Sequence, residues 1–302
     1  MLAGLGLALL GGAGPAEAEL SVVATTPEIG AVATAVGGNA VSVLTLAKPT
    51  EDPHFVDARP THIVTLNRAD ALVEGGAELE LGWLPPLVEG ARNPRIQPGT
   101  PGRIAASEGI RLLDIPVDFD RSRGDIHGAG NPHFMMDPLN AVIAARHMAE
   151  SFCRLDASQC ATYRGNLAVF DAKIEAKMKE WSALLAPYGG APIVTYHATW
   201  RYFAQRFGLK SDLYLEPKPG IPPSPPHLAE VIEKMKAEGI RVILVEPYQT
   251  LKVAETVAGH TGATVVRVAQ FPGALPGTAG DYVALMDANV RAIATSLAGK
   301  GL

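Results

Sequence analysis

The sequence predicts an α/β protein of two lobes, each a parallel β-sheet flanked by helices, joined by one long rigid helix. Three observations carry this. Short β-branched runs alternate with helix-period segments in the first half of the chain, the mark of βαβ units. The same rhythm resumes in the second half. Between them, from Gln159 to Leu185, the chain is free of proline and, after Gly165, of glycine. Leu167, Phe170, Ile174, Met178 and Trp181 recur there at spacings of three and four, one apolar stripe along a helix. Such a helix either crosses the face of a single domain or connects two lobes, and its central position favours the connector.

Taken in order, Leu20–Thr26 is a strand, Glu28–Val36 a helix closed by Gly37 and Gly38, and Val41–Leu46 a second strand. Thr61–Arg68 forms a helix, and Asp70–Glu74 a strand that stops at Gly75 and Gly76. Ile110–Ile115 reads as a further strand. Pro187, Gly189 and Gly190 stop the long helix. Beyond it, Pro192–Tyr196 is a strand, His197–Phe207 a helix, Pro226–Glu238 a helix with Ser224 as its N-cap, and Val242–Glu246 a strand. Leu251–His260 is a helix, Thr264–Val268 a strand, and Tyr282–Leu297 the closing helix.

Residues 1–14 are apolar and uncharged, and Pro15-Ala16-Glu17-Ala18 follows as a small-residue cleavage site, so 1–18 reads as a signal peptide lacking its basic start. The apolar run is shorter than the roughly 20 residues a membrane span needs. The expected divisions are 1–18 signal, 19–157 N-terminal lobe, 158–187 connecting helix and 188–302 C-terminal lobe. An exported, soluble, periplasmic protein follows, free of a lipid anchor because no lipobox cysteine is visible. A net charge of −5 without Lys/Arg clusters argues against nucleic acid as a partner. The two cysteines, Cys153 and Cys160, are either a local disulfide across a helix–helix turn or two buried thiols.

Three of the eight histidines stand out. His54 follows Pro53 in the loop after the second strand, His133 follows Asn131-Pro132, and His197 directly follows a strand. All three sit at or beyond strand ends, where an open α/β sheet forms its ligand crevice. Neutral imidazole suits zinc, and three imidazoles fill most of a tetrahedral shell. His62, His147 and His260 fall in helical patterns and His227 at a helix start, where structural roles are expected. His127 lies in a loop beside His133, as a transient ligand or, more simply, a solvated residue. Glu246, at a strand end, is a candidate hydrogen-bond partner near the crevice.

The ordered set Pro53-His54, Asn131-Pro132-His133 with Asp137-Pro138, Tyr196-His197 with Tyr202-Phe203, Gly220 to Ser224 with His227, Glu246-Pro247 and Asp281-Tyr282 carries a resemblance. It resembles the zinc/manganese substrate-binding proteins of ABC importers (cluster A-I, TroA-like superfamily), and the segment around Gly130 is similar to the AztC-type zinc-binding branch. The resemblance implies two α/β lobes on one long helix, with metal between them. His54 and His133 would come from the first lobe and His197 from the second, and a histidine at 197 resembles the zinc members. The family usually adds an aspartate after its last strand, but here that loop, Val268 to Leu275, holds no carboxylate. Asp281 is the nearest candidate, though it opens a helix and suits an N-cap. Glu51, Asp125 and water are the alternatives.

The expected function is therefore capture of Zn²⁺, as transported ligand, by a monomer without enzymatic activity. The expected partners are an ABC importer permease and a periplasmic zinc metallochaperone. The rivals are a zinc-dependent hydrolase, which would want H-E-x-x-H or a glutamate base, and a metal-binding surface adhesin on the same fold. A sugar- or amino-acid-binding protein would want more than the 6% aromatic content found.

Overall fold

The structure, a computed structural model, describes residues 19–117, 127–218 and 220–299. The signal-like residues and Asp125 lie outside that range.

Two four-stranded sheets, parallel throughout, organise the chain. The first contains β1 (Leu20–Ala24), β2 (Val41–Thr45), β3 (Ala71–Glu74) and β4 (Arg103–Ala105), in the order β2-β1-β3-β4. The second contains β5 (Pro192–Thr195), β6 (Lys210–Tyr214), β7 (Val242–Val245) and β8 (Thr264–Arg267), in the order β6-β5-β7-β8. The two orders are the same topology read twice. Central strands such as β7, whose four residues are all buried, are apolar on both faces because helices cover both.

The helices are α1 (Pro27–Gly37), α2 (Pro60–Arg68), α3 (Leu84–Ala91), α4 (Pro138–Leu155), α5 (Cys160–Leu185), α6 (Arg201–Phe207), α7 (Pro225–Glu238), α8 (Leu251–Thr261) and α9 (Tyr282–Leu297). Their starts follow local chemistry. Asp137 accepts a hydrogen bond from the Leu139 amide at the start of α4, and Ser224 accepts one from the His227 amide at the start of α7. Among the described residues no helix is long and apolar enough to cross a membrane.

The long helix runs over 26 residues and packs against α1, α4 and α9. One apolar core runs continuously from Val22 and Val73 of the first sheet, through Phe170, Ile174 and Trp181 of α5, to Val242 and Leu244 of the second. The outer faces have separate cores, around Trp83 and Leu87 in the first half and around Ile243 and Val257 in the second. Cys153 and Cys160 form a disulfide that ties the end of α4 to the start of α5.

One sequence expectation is corrected. Ile110–Ile115 is not a strand, and the fourth strand of the first sheet is the three-residue β4. The backbone of 110–115 is committed elsewhere: the Leu113 amide donates to the Tyr202 hydroxyl at 2.9 Å, and the Leu113 carbonyl accepts from the Asn131 amide at 2.7 Å. The predicted helix from His197 begins as a 3-10 turn, Ala198–Trp200, before α6. Helix α3 and strands β4 and β6 had no counterpart in the sequence reading, and α4 was anticipated only as the helical pattern around His147.

Candidate metal centre

The donors are placed by strand ends. In the second sheet each strand is followed by a polar residue: Glu216 after β6, His197 after β5, Glu246 after β7 and Gln270 after β8. His54 follows β2, and His133 stands just before the short turn that leads to α4. The carboxyl ends of both sheets thus face one crevice.

His54, His133 and His197 come together there, each offering a ring nitrogen within 4.8 Å of the other two. Each ring is oriented by a bond at Nδ1. His54 Nδ1 pairs with Asp52 at 2.9 Å, His133 Nδ1 with the Gln270 side-chain oxygen at 3.0 Å, and His197 Nδ1 with Glu216. An oxygen acceptor at Nδ1 places the proton there and leaves the Nε2 lone pair free. The Nε2 atoms of His133 and His197 then lie 3.1 Å apart, and His54 Nε2 is buried with no partner. Lone pairs brought as close as those of His133 and His197 repel, and a cation shared with the nearby His54 nitrogen would remove the repulsion.

Local sequence explains the placement. Asp52 also accepts the His54 amide at 3.0 Å, so Asp52-Pro53-His54 is a self-bonded turn. Gly130 has φ +118°, and a Cβ there would stand 2.7 Å from the Leu113 carbonyl oxygen, so only glycine fits. The Asn131 side chain accepts the His133 amide at 3.0 Å and donates to the Ala198 carbonyl at 2.9 Å, linking the turns that carry His133 and His197. Asp137, besides capping α4, holds Arg206 of α6 through two bonds at 2.8 and 2.7 Å. Asn131, Asp137 and Tyr202 therefore fasten the first sheet's segment onto the second sheet's first helix.

Electrostatics favour a neutral imidazole at His133. Burial, then the neighbouring His197, His54 and His127, pushes His133 well below the usual histidine pKa. Burial works against the Asp52 carboxylate, but its hydrogen bonds with the His54 ring and amide hold it below the usual range. Behind the site, burial pushes Glu28 up to about 8, and Glu80 and Glu246 up to about 7. The sequence-proposed role for Glu246 takes a definite form: Trp200 Nε1 donates to it at 2.8 Å.

Asp281 is not brought to the cluster. One oxygen caps α9 by accepting the Val283 and Ala284 amides, and the other pairs with Lys173 at 3.2 Å. Glu51 shapes its own turn by accepting the Lys48 and Asp57 amides. His147 pairs with Glu108, and His227 bonds the Tyr214 carbonyl. His127, read from sequence as solvated or transient, stands against His54 with ring centroids 5.2 Å apart. The sequence reading missed Asp52, Glu216 and Gln270. Of these only Asp52 had a signal, an acceptor two residues ahead of a histidine.

Two parallel-sheet lobes meeting at their carboxyl ends, with nitrogen donors from both, define a metal-binding capture protein. The chain belongs to the family described as "ZnuA: Zinc-uptake complex component A periplasmic", which matches residues 22–296. It is similar to an iron ABC transporter substrate-binding lipoprotein of Streptococcus pyogenes serotype M1, 25% identical, over 93% of this chain and 89% of that protein. A metal ABC transporter substrate-binding lipoprotein of Streptococcus mutans is 24% identical over 93% and 91%. The crystal structure of ZnuA matches with a TM-score of 0.78 at 23% identity, covering 93% of this chain and all of that one. The protein is thus a metal-binding substrate-binding protein of the ABC-importer type and not an enzyme. The hydrolase alternative is set aside.

Proposed function

We propose that this protein captures Zn²⁺ with His54, His133 and His197 in the periplasm and delivers it to the importer's permease. The observation that carries the choice of zinc is the all-nitrogen donor set. Asp52 and Glu216 are the carboxylates bonded to these rings, and both spend an oxygen on Nδ1. Imidazole suits zinc, whereas manganese favours carboxylate, carbonyl and water. The lobes are taken as 19–157 and 188–302 with 158–187 between them. Periplasmic residence rests on the signal-like residues 1–18, and the AztC-type branch on the Gly130–His133 segment. A monomer without nucleic-acid partners accords with the net charge of −5, and a zinc metallochaperone is the proposed donor.

The test is to offer the purified mature protein zinc, manganese and ferrous iron together in equal excess and then measure retained metal after gel filtration. One zinc per chain is expected. Manganese or iron retained in its place would overturn the zinc reading while leaving metal capture intact.

A further inference from the structure

We infer that His127 is a fourth nitrogen donor to the captured ion. The inference rests on the metal-capture reading and completes its donor set.

A tetrahedral ion held by three protein nitrogens needs one more ligand, and among the described residues the acidic candidates are otherwise engaged. Asp281 caps a helix and pairs with Lys173, and Glu51 closes its own turn. Asp52 and Glu216 are bonded to the Nδ1 side of rings whose Nε2 atoms face the centre.

His127 has the geometry the others lack. Its ring is 5.2 Å from that of His54, the separation at which His54 stands from His133, and His197 lies 5.3 Å from His54. Its Nε2 is buried without a hydrogen-bond partner, as is that of His54. A buried imidazole nitrogen left unpaired costs free energy in the metal-free protein, so two such atoms side by side point to a common ligand. The rest of the residue is fixed. The ring bonds the Glu78 carbonyl, and the Gly128 amide donates to the Glu78 carboxylate. Glu78 and the preceding Ala77 have φ of +67° and +53°, left-handed values that non-glycine residues adopt at a cost. The strained turn that anchors His127 runs on to Glu80, whose carboxyl bonds Thr25 at 2.6 Å behind β1.

His127 stands outside the mutually close trio, so ligation takes a small advance of its ring toward the centre. It is therefore the donor added last and released first, and removing it should weaken the site without abolishing it. Four imidazoles would also sharpen discrimination against manganese and ferrous iron.

The test compares the parent with His127→Ala, His127→Gln and Glu78→Ala, by chelator competition for zinc and by X-ray absorption of the zinc-loaded proteins. Four imidazoles are expected in the parent and three in both His127 variants. Zinc affinity should drop by about tenfold or more in both, since residues that only orient a ligand already cost 10–100-fold. Glu78→Ala should weaken binding less and add nothing in combination with His127→Ala. Three imidazoles in the parent with unchanged affinity in His127→Ala would overturn the inference alone, provided His54→Ala still loses zinc. A parent that binds no zinc tightly would overturn the capture reading as well.

Discussion

His133 and His197 belong to different halves of the chain, yet their Nε2 atoms stand 3.1 Å apart, with each ring's Nδ1 bonded to a side-chain oxygen on the far side. The contact crosses the junction between the two sheets, so an ion placed there is bound by both. Asn131 spans the same junction, and Asp137 with Arg206 secures it. With one core continuous through α5, the fold suits small adjustments at the crevice better than a wide hinge.

The orienting acceptors should matter nearly as much as the ligands. Asp52→Asn and Glu216→Gln are expected to lower zinc affinity about 10–100-fold each while leaving the far-ultraviolet circular dichroism unchanged. Chelator competition measures this. Affinities within twofold of the parent would show that the Nδ1 bonds are incidental.

Zinc binding should weaken as pH falls, because protons compete for the imidazole lone pairs. The metal-free protein has a related dependence. His133 and His127 are held below the ordinary histidine value of 6.5, His127 at about 4, so the unfolded chain takes up protons that the folded one refuses. Their contribution to stability is complete above about 6.5 and is lost as pH falls below it. Denaturant melts of His133→Leu and His127→Leu should accordingly show a shallower decline between pH 6.5 and 4 than the parent.

Glu28 acts in the opposite sense. Its carboxyl titrates at about 8 in the fold against 4.5 free, so its contribution is present at acid pH and is lost as pH rises toward 8. Glu28→Gln cannot ionise and should gain stability relative to the parent between pH 5 and 8. The limit is about 1.4 kcal/mol for each pH unit separating the two values. A parent and variant whose stabilities stay parallel over that range would contradict the assignment.

The Cys153–Cys160 disulfide closes a short loop between α4 and α5. On chain-entropy grounds its loss costs about 2 kcal/mol. Cys153→Ser with Cys160→Ser should lower the melting temperature by several degrees with zinc affinity unchanged. A loss of affinity would mean the helix junction also tunes the distant crevice.

Much of this was legible in the sequence because the evidence was local. Hydrophobic period and glycine or proline stops gave α1, α5, α9 and most strands. Histidines in loops picked out by their neighbours gave the candidate donors His54, His133 and His197, which the fold brings together. What was not legible depends on distant partners. Ile110–Ile115 has a strand's composition, but its backbone bonds go to Tyr202 and Asn131. Glu216 and Gln270 become orienting residues only once the second sheet aligns its strand ends. His127 looks like a solvated loop residue until folding lays it against His54.

The most direct test is a zinc titration against a competing chelator for the parent, His54→Ala, His133→Ala and His197→Ala, repeated with manganese. One tight zinc site per chain is predicted, severely weakened by each substitution and unmatched by manganese. Tight zinc binding indifferent to these three histidines, or manganese bound as tightly as zinc, would contradict it.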